Sequence, residues 1–250
     1  MDRDKLVNFI DGVLESYRFK DSSKNGLQVE GKREVKKAVF SPSISLALIK
    51  KAVEYGADAI IVHHGLLWGK EESVTGVYAQ KLHLLLSNGI NLMAWHIPLD
   101  AHKVYGNNVN LIKHFPVNNI KTFGEYDGNL IGFKGRLRTP IFRKKAEEII
   151  REKINSKALF LPFGPEKISS IGVVSGGGQS FISQAAREKL DLYITGEASE
   201  YCFEAARESG LNFSAAGHYA TEKAGVQALK KLLEKKFHLK TFFYDSSNPI

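Results

Sequence analysis

Apolar positions along this chain follow two patterns, helical three-to-four spacing and short unbroken runs, and the two alternate over most of its length. Residues 2–18 place Leu6, Val7, Ile10, Val13 and Leu14 on one helical face. A polar turn, residues 21–26, comes next; Asn25-Gly26 is a strong turn signal, and residues 27–31 alternate like a half-exposed strand. Val35–Ser41 predicts a strand, and Ile44–Tyr55 a helix closed by Gly56. Asp58-Ala59-Ile60-Ile61-Val62 reads as a strand covered on both faces, stopping at His63-His64-Gly65. Residues 65–70 then read as a loop, Val77–Ser87 as a helix, and Ile90–Trp95 as a strand running into His96-Ile97-Pro98-Leu99-Asp100. Pro98 cannot donate to a sheet ladder, which ends the strand and predicts a loop position for Asp100. Residues 106–114 read as a helix.

The texture changes near Pro116. Thr122–Arg138 alternates like antiparallel strands with Gly128 and Gly135 at turns, and Pro140–Ile154 is a charged amphipathic helix. Ala158–Phe163 is another short apolar run. From Ser169 the early layout returns: a strand at Ile171–Val174, the turn Ser175-Gly176-Gly177-Gly178 and a helix through Lys189. Asp191–Glu197 repeats the shape of Asp58–His64, and a helix around Ala198–Ser209 leads to the run Leu211–Ala216 and then Gly217-His218. A helix over 222–235 and a strand at Thr241–Tyr244 close the chain. The fold class is α/β: two related αβα-type domains with mixed sheets, each built on a β-α-β-α-β unit. The expected boundaries are 1–115 plus 216–250 for the first domain, which carries the metal ligands, and 116–215 for the second.

Length adds that 250 residues suffice for one large or two small domains. No apolar run reaches the ~18–20 residues of a membrane span, and the N-terminal residues lack a signal-peptide layout. One cysteine excludes an intrachain disulfide and a thiolate-rich zinc site, so a cytoplasmic setting is expected. The net charge of +8 permits a polyanionic partner, nucleic acid or a phosphorylated substrate, without demanding one.

The candidate chemistry sits at strand ends, where open α/β sheets bind ligands. His63 and His64 end one strand, Asp100 follows another, and His218 with Glu222 share one helix face at i and i+4. Three imidazoles and two carboxylates exceed what one catalytic ion with an open position uses. They suit two ions about 3.5–4 Å apart bridged by a carboxylate. Adjacent histidines point to opposite sides of an extended backbone, so His63 and His64 suit different ions.

Four stretches carry a family resemblance: Asn25–Gly31, His63-His64-Gly65-Leu66-Leu67-Trp68, His96–Asp100 and Gly217–Glu222, with Asn248-Pro249-Ile250 at the end. In this order they resemble the Nif-three-like dinuclear-metal proteins, commonly labelled GTP cyclohydrolase type 2 homologues. The resemblance implies that His64 and Asp100 hold one ion, His63 and His218 the other, and that Glu222 bridges and holds the attacking water. It further implies a dinuclear site in the cleft between two α/β domains, and a ring-like homohexamer.

The other candidates carry less. His96 reads as a supporting residue, holding Asp100 or a bound water, and His102 as a weaker version of it. His83, His114 and His238 read as structural or exposed, and Cys202 as a buried thiol. The glycine-rich residues 175–180 lack a P-loop ending and read as a tight turn; Ser22, Lys24 and Asn25 read as a polar turn. Basic residues over 143–153 and Lys230, Lys231, Lys235 and Lys236 read as solvated helix faces or as a stripe for phosphates. The leading expectation is a metal-assisted hydrolase of a nucleotide or phosphorylated substrate, using two divalent ions (iron, zinc, manganese or magnesium). The alternatives are a metal-containing nucleic-acid-binding ring without turnover, and metal storage.

Overall fold

The computed structural model describes residues 1–69 and 73–250; Lys70, in the loop expected after His64, lies outside them. Asp2 caps the first helix by accepting from the Lys5 N–H, and α1 (Arg3–Leu14) ends where Glu15 turns left-handed. Then come β1 (Gly26–Val29), β2 (Lys37–Ser43), and α2 (Leu46–Tyr55), capped by Ser45 at its start and left-handed Gly56 at its end. β3 (Ala59–His64), α3 (Gly76–Ser87) and β4 (Asn91–Ala94) follow. Next are α4 (Ile97–Ala101), α5 (Asn107–Ile112), β5 (Val117–Tyr126), β6 (Asn129–Phe142) and α6 (Arg143–Lys153). β7 (Leu159–Pro162), β8 (Lys167–Val174), α7 (Ile182–Arg187), β9 (Leu192–Thr195), α8 (Tyr201–Ser209) and β10 (Asn212–Ala215) continue the chain. It closes with α9 (His218–Thr221), α10 (Lys223–Phe237) and β11 (Lys240–Phe243).

The chain divides into two units, 1–99 with 226–247, and 100–225 with 248–250. The stretches 100–115 and 216–225 therefore group with the middle segment. The reason is packing: Val109, Leu111, Ile112 and Phe115 share one core with Phe133, Ile171 and Ala216.

In the first unit the sheet order is β1-β4-β3-β2-β11, parallel except for β1. Ala38, Phe40, Ile61 and Trp95 face a core shared with Leu6 and Ile10 of α1 and Leu229 of α10. Val39, Ile60, Val62 and Leu92 face the opposite way, against Leu48 and Ala52 of α2 and Leu85 of α3. A sheet buried on both faces explains why its strands read as unbroken aliphatic runs. Each fully buried Ile or Phe contributes roughly 1.5–3 kcal/mol.

The second unit has a mixed sheet, β5-β6-β8-β9-β10-β7, in which β8, β9 and β10 are parallel. The hairpin β5–β6 turns at Asp127 and Gly128, both at positive φ, as a two-residue hairpin loop requires. Gly135, expected at a turn, lies instead inside β6 opposite Ile171. A Cβ there would come within 3.1 Å of Asn118 O and Val117 Cβ, so the glycine serves close approach of β5. Pro140 and Ile141 extend β6, and the charged helix begins only at Arg143.

The similarity between halves is visible in topology, β1-β4-β3-β2 against β7-β10-β9-β8, and in two matching polar locks. Asp58 accepts from Lys36 N and Lys37 N, and Asp191 from Ser169 N and Ser170 N. Asn91 accepts from Gly31 N and donates to Lys32 O and Asp58 O; Asn212 accepts from Gly164 N and donates to Pro165 O and Asp191 O. Both amides are fully buried. Asn91→Ala strips partners from buried backbone groups, so it is expected to cost about 2–4 kcal/mol. A urea titration should show the midpoint falling at an unchanged m-value.

Candidate metal centre

β3 delivers the paired histidines. The strand includes both, with Ser43 opposite His64 and Val62 opposite Ala94. His63 is fully buried and its Nδ1 lies 2.9 Å from Trp95 O; His64 Nδ1 lies 3.0 Å from Ser43 Oγ. Where β4 ends, Asn25 accepts from His96 N, and His96 Nδ1 meets Asp21 Oδ1 at 2.9 Å. Burial opposes ionisation of Asp21, but hydrogen bonds from His96, Ser23 and Asn25 outweigh it and hold its pKa low. The rings of His63, His64 and His96 lie 4.5–5.5 Å apart, and each offers a nitrogen within 4.8 Å of the others. His63 and His64 therefore turn toward a common point, although they are neighbours on a strand. Trp68 packs against His64 and His96, and Gln28 holds the intervening loop through Leu66 N and Leu67 N.

The second unit gathers the remaining candidates. Asp100 lies in α4, not in a loop: Pro98 ends strand pairing yet fits a helix's first turn, where no N–H is needed. Its Oδ1 accepts from Asn107 Nδ2 at 2.9 Å and Ser175 Oγ at 3.1 Å. β10 leads through Gly217 (φ +90°) into α9, which His218 begins and Glu222 closes. His218 Nε2 is 3.1 Å from Glu222 Oε2, and its Nδ1 is 2.6 Å from Glu197 Oε1. Glu222 is 3% exposed, and it and Asp100 offer carboxylate oxygens within 4.8 Å of each other. Gly176 backs Glu222: a Cβ there would press into Glu222 Oε1 and lie 3.0 Å from His218 Nε2.

Burial alone would lower the pKa of His218, but the Glu222 and Glu197 carboxylates outweigh it and push it up to about 9. With the folded pKa above the ordinary 6.5, the protonated ring stabilises the metal-free protein. That stabilisation is full below the unfolded value and is lost as pH rises through about 9. Melting temperatures of metal-free protein should fall across this window, and by less in Glu197→Gln. Metal binding at His218 requires the neutral ring and should release a proton, read as a buffer-dependent calorimetric enthalpy.

Imidazole nitrogens fixed through Nδ1, with carboxylates already oriented, make a donor set that fits divalent transition ions. Several of the fixing residues lay outside the expected site. Asp21 and Asn25 belong to what reads as a polar turn, and Ser43 carries no pattern at all. Glu197 did leave a signal, because it stands where His64 stands in the repeated strand. His96 pairs with Asp21 rather than Asp100, and His102 Nδ1 caps Val104 N and Tyr105 N. In the glycine-rich turn, Ser175 N and Gly176 N are spent on Asn108 and Thr221. Cys202 is buried, while His83, His114 and His238 are exposed. Cations of α6 pair within the helix, Lys145 with Glu148 and Arg151 with Glu147, and Lys230 of α10 pairs with Glu234. Among the described residues no helix is long and apolar enough to cross a membrane.

Comparison with known proteins agrees along the whole chain. The family model described as Duf34/NIF3 (NGG1p interacting factor 3) matches residues 1–249. A Pyrococcus horikoshii protein named GTP cyclohydrolase 1 type 2 homolog is 44% identical over 247 residues, 98% of each chain. An Escherichia coli (strain K12) protein of the same name is 41% identical over 251 residues, 100% of each chain. The solved structure of protein ybgI, of unknown function, matches with a TM-score of 0.94 at 40% identity, covering 100% of both chains.

Proposed function

Since the chain belongs to the Duf34/NIF3 family, we propose that it is a metal-dependent hydrolase of a nucleotide or another phosphorylated substrate. The observation that carries the reading is the position of Glu222, a buried carboxylate with His218 at 3.1 Å and Asp100 within 4.8 Å. A bridging carboxylate needs such neighbours. In this reading His64 and Asp100 would hold one ion, His63 and His218 the other, and Glu222 would be the ligand they share. When bound, two divalent ions lower the pKa of water toward neutrality and polarise the substrate. The chain's own part is positioning. Trp95 O and Ser43 fix the imidazoles, Asn107 and Ser175 fix Asp100, and Glu197 keeps His218 turned toward Glu222. The name shared by the relatives makes GTP the first substrate to try.

The test is GTP consumption by protein loaded with iron, zinc, manganese or magnesium, with mass spectrometry of the product. Product mass distinguishes opening of the imidazole ring from loss of phosphate. No turnover of GTP or of a phosphodiester by protein holding two ions per chain would overturn the hydrolase reading.

A second reading, nucleic-acid binding, is favoured by a groove in the second unit. Cavities of about 530 and 580 Å³ share Lys121 and Lys134. Lys103, Lys113, Arg136 and Lys189 complete the lining cations, against the single carboxylate Glu188, which pairs with Lys134. If a phosphodiester backbone lies here, affinity should fall steeply with salt, log K against log salt being linear. Lys121→Ala with Arg136→Ala should flatten that slope; a slope unchanged in the double variant would remove the groove from consideration.

A further inference from the structure

The segment from Asp11 to Asn25, in the first unit, lines a cavity of about 480 Å³ that the metal centre does not use. We propose that this cavity binds a purine nucleoside through its base, with Tyr17 as the stacking face, Asp11 receiving the amino group, and Ser16 and Ser23 meeting ring acceptors. Binding there needs neither a metal ion nor turnover, so the site stands apart from the hydrolase reading. Its volume falls within the ~300–1,000 Å³ of small-molecule sites.

Two hydroxyls on the cavity wall have no partner. Ser23 is 3% exposed, and neither its Oγ nor the buried Ser16 Oγ makes a hydrogen bond. A buried polar group left unbonded costs free energy, which a ligand able to bond it recovers. Asp11 Oδ1 accepts from Trp95 Nε1 at 2.7 Å, and Oδ2 receives no hydrogen bond among the described residues. Asp21, also on the wall, is already spent. Its two oxygens accept from Ser23 N, His96 Nδ1, Asn25 Nδ2 and Ile97 N. What remains for a ligand is one anionic acceptor and two hydroxyls, each able to donate and to accept.

That set chooses among ligand classes. No lysine or arginine is among the described lining residues, so nothing offsets the charge of a phosphate beside Asp11 and Asp21. A polyamine would satisfy Asp11 but has no acceptor for the hydroxyl hydrogens. An aminopurine has both, an exocyclic amine that donates and ring positions that accept. The walls suit a flat ring as well. Tyr17 is 83% exposed in the 3₁₀ turn Ser16–Arg18 that follows α1, and an open aromatic face is one on which a base stacks. Gly12 sits inside α1, where alanine would make the stronger helix. A Cβ at Gly12 would meet nothing within 4 Å, and its φ is not positive. Neither packing nor backbone conformation calls for glycine here, whereas bare backbone on a cavity wall lets a ring come close.

The test is titration calorimetry of the full chain with adenosine, guanosine, adenosine monophosphate and spermidine. A purine nucleoside should bind, the monophosphate no more tightly than adenosine, and spermidine about 10-fold more weakly or worse. Tyr17→Ala and Asp11→Asn should each weaken nucleoside binding about 10-fold or more. The asparagine keeps an oxygen for Trp95 Nε1 and sets its own amide hydrogens against the ligand's amine. Ser23→Ala and Gly12→Ala supply a readout that a structural role would not move. Each should leave the melting temperature unchanged or raised while weakening binding about 3–10-fold. Should Asp11→Asn fail to fold, as judged by circular dichroism, these two decide. No binding of either nucleoside at millimolar concentration would overturn the proposal. So would binding that the variants leave at wild-type strength, which places the nucleoside elsewhere, or spermidine as the tightest ligand, which makes the cavity a cation site.

Discussion

Glu222→Gln is expected to lower turnover by more than about 100-fold and to reduce the bound metal from two ions to one. Glutamine keeps the volume of a side chain that is 3% exposed and has His218 at 3.1 Å, so the fold should survive. The amide cannot offer two anionic oxygens, so it cannot hold a pair of cations together. Metal analysis and kinetics on one preparation read both effects. The variant should also bring the His218 pKa down from about 9, since Glu222 is its main charge partner. A variant with full metal content and full turnover would remove Glu222 from the centre.

Gly176→Ala is the second substitution with a large expected effect. The residue sits at φ +58°, and an added Cβ would press into Glu222 Oε1 and lie 3.0 Å from His218 Nε2. Glu222 cannot retreat easily, being buried, while Gly176 N is held by Thr221 Oγ1 at 3.0 Å. Left-handed backbone strain costs roughly 1–2 kcal/mol and overpacking about 1–3. Together they should lower the melting temperature by several degrees and weaken metal binding in parallel. Gly128→Ala is the control: it shares a positive φ but has nothing within 4 Å of the new Cβ. It should lose stability without losing metal. Equal metal affinity in Gly176→Ala and wild type would show that the turn does not shape the carboxylate.

Much of the fold was legible because buried parallel strands write themselves as aliphatic runs. Ala59–Val62, Leu92–Ala94 and Leu192–Ile194 are of this kind, and their ends point to His63 and His64, to His96 and to Glu197. Asp100 was legible as a residue but not as part of a helix, because Pro98 signals a strand's end and a helix's start alike. Gly135 misled for a similar reason, since close packing of two strands and a turn both call for glycine. Residues that orient the ligands were largely hidden. Asp21 meets His96 across 75 positions of sequence, and Ser43 meets His64 across 21; neither spacing has a local period. The basic groove was hidden too, its cations spread from Lys103 to Lys189. The helices that looked basic, α6 above all, spend much of their charge on their own glutamates.

X-ray absorption at the metal edge of zinc- or iron-loaded protein tests the central claim, a two-metal centre, most directly. The expected spectrum has a nitrogen and oxygen shell with resolved imidazole scattering, plus a metal–metal distance of about 3.5–4 Å. Nitrogen and oxygen shells alone, on protein saturated with metal, would contradict a bridging Glu222 and the two-metal hydrolysis built on it.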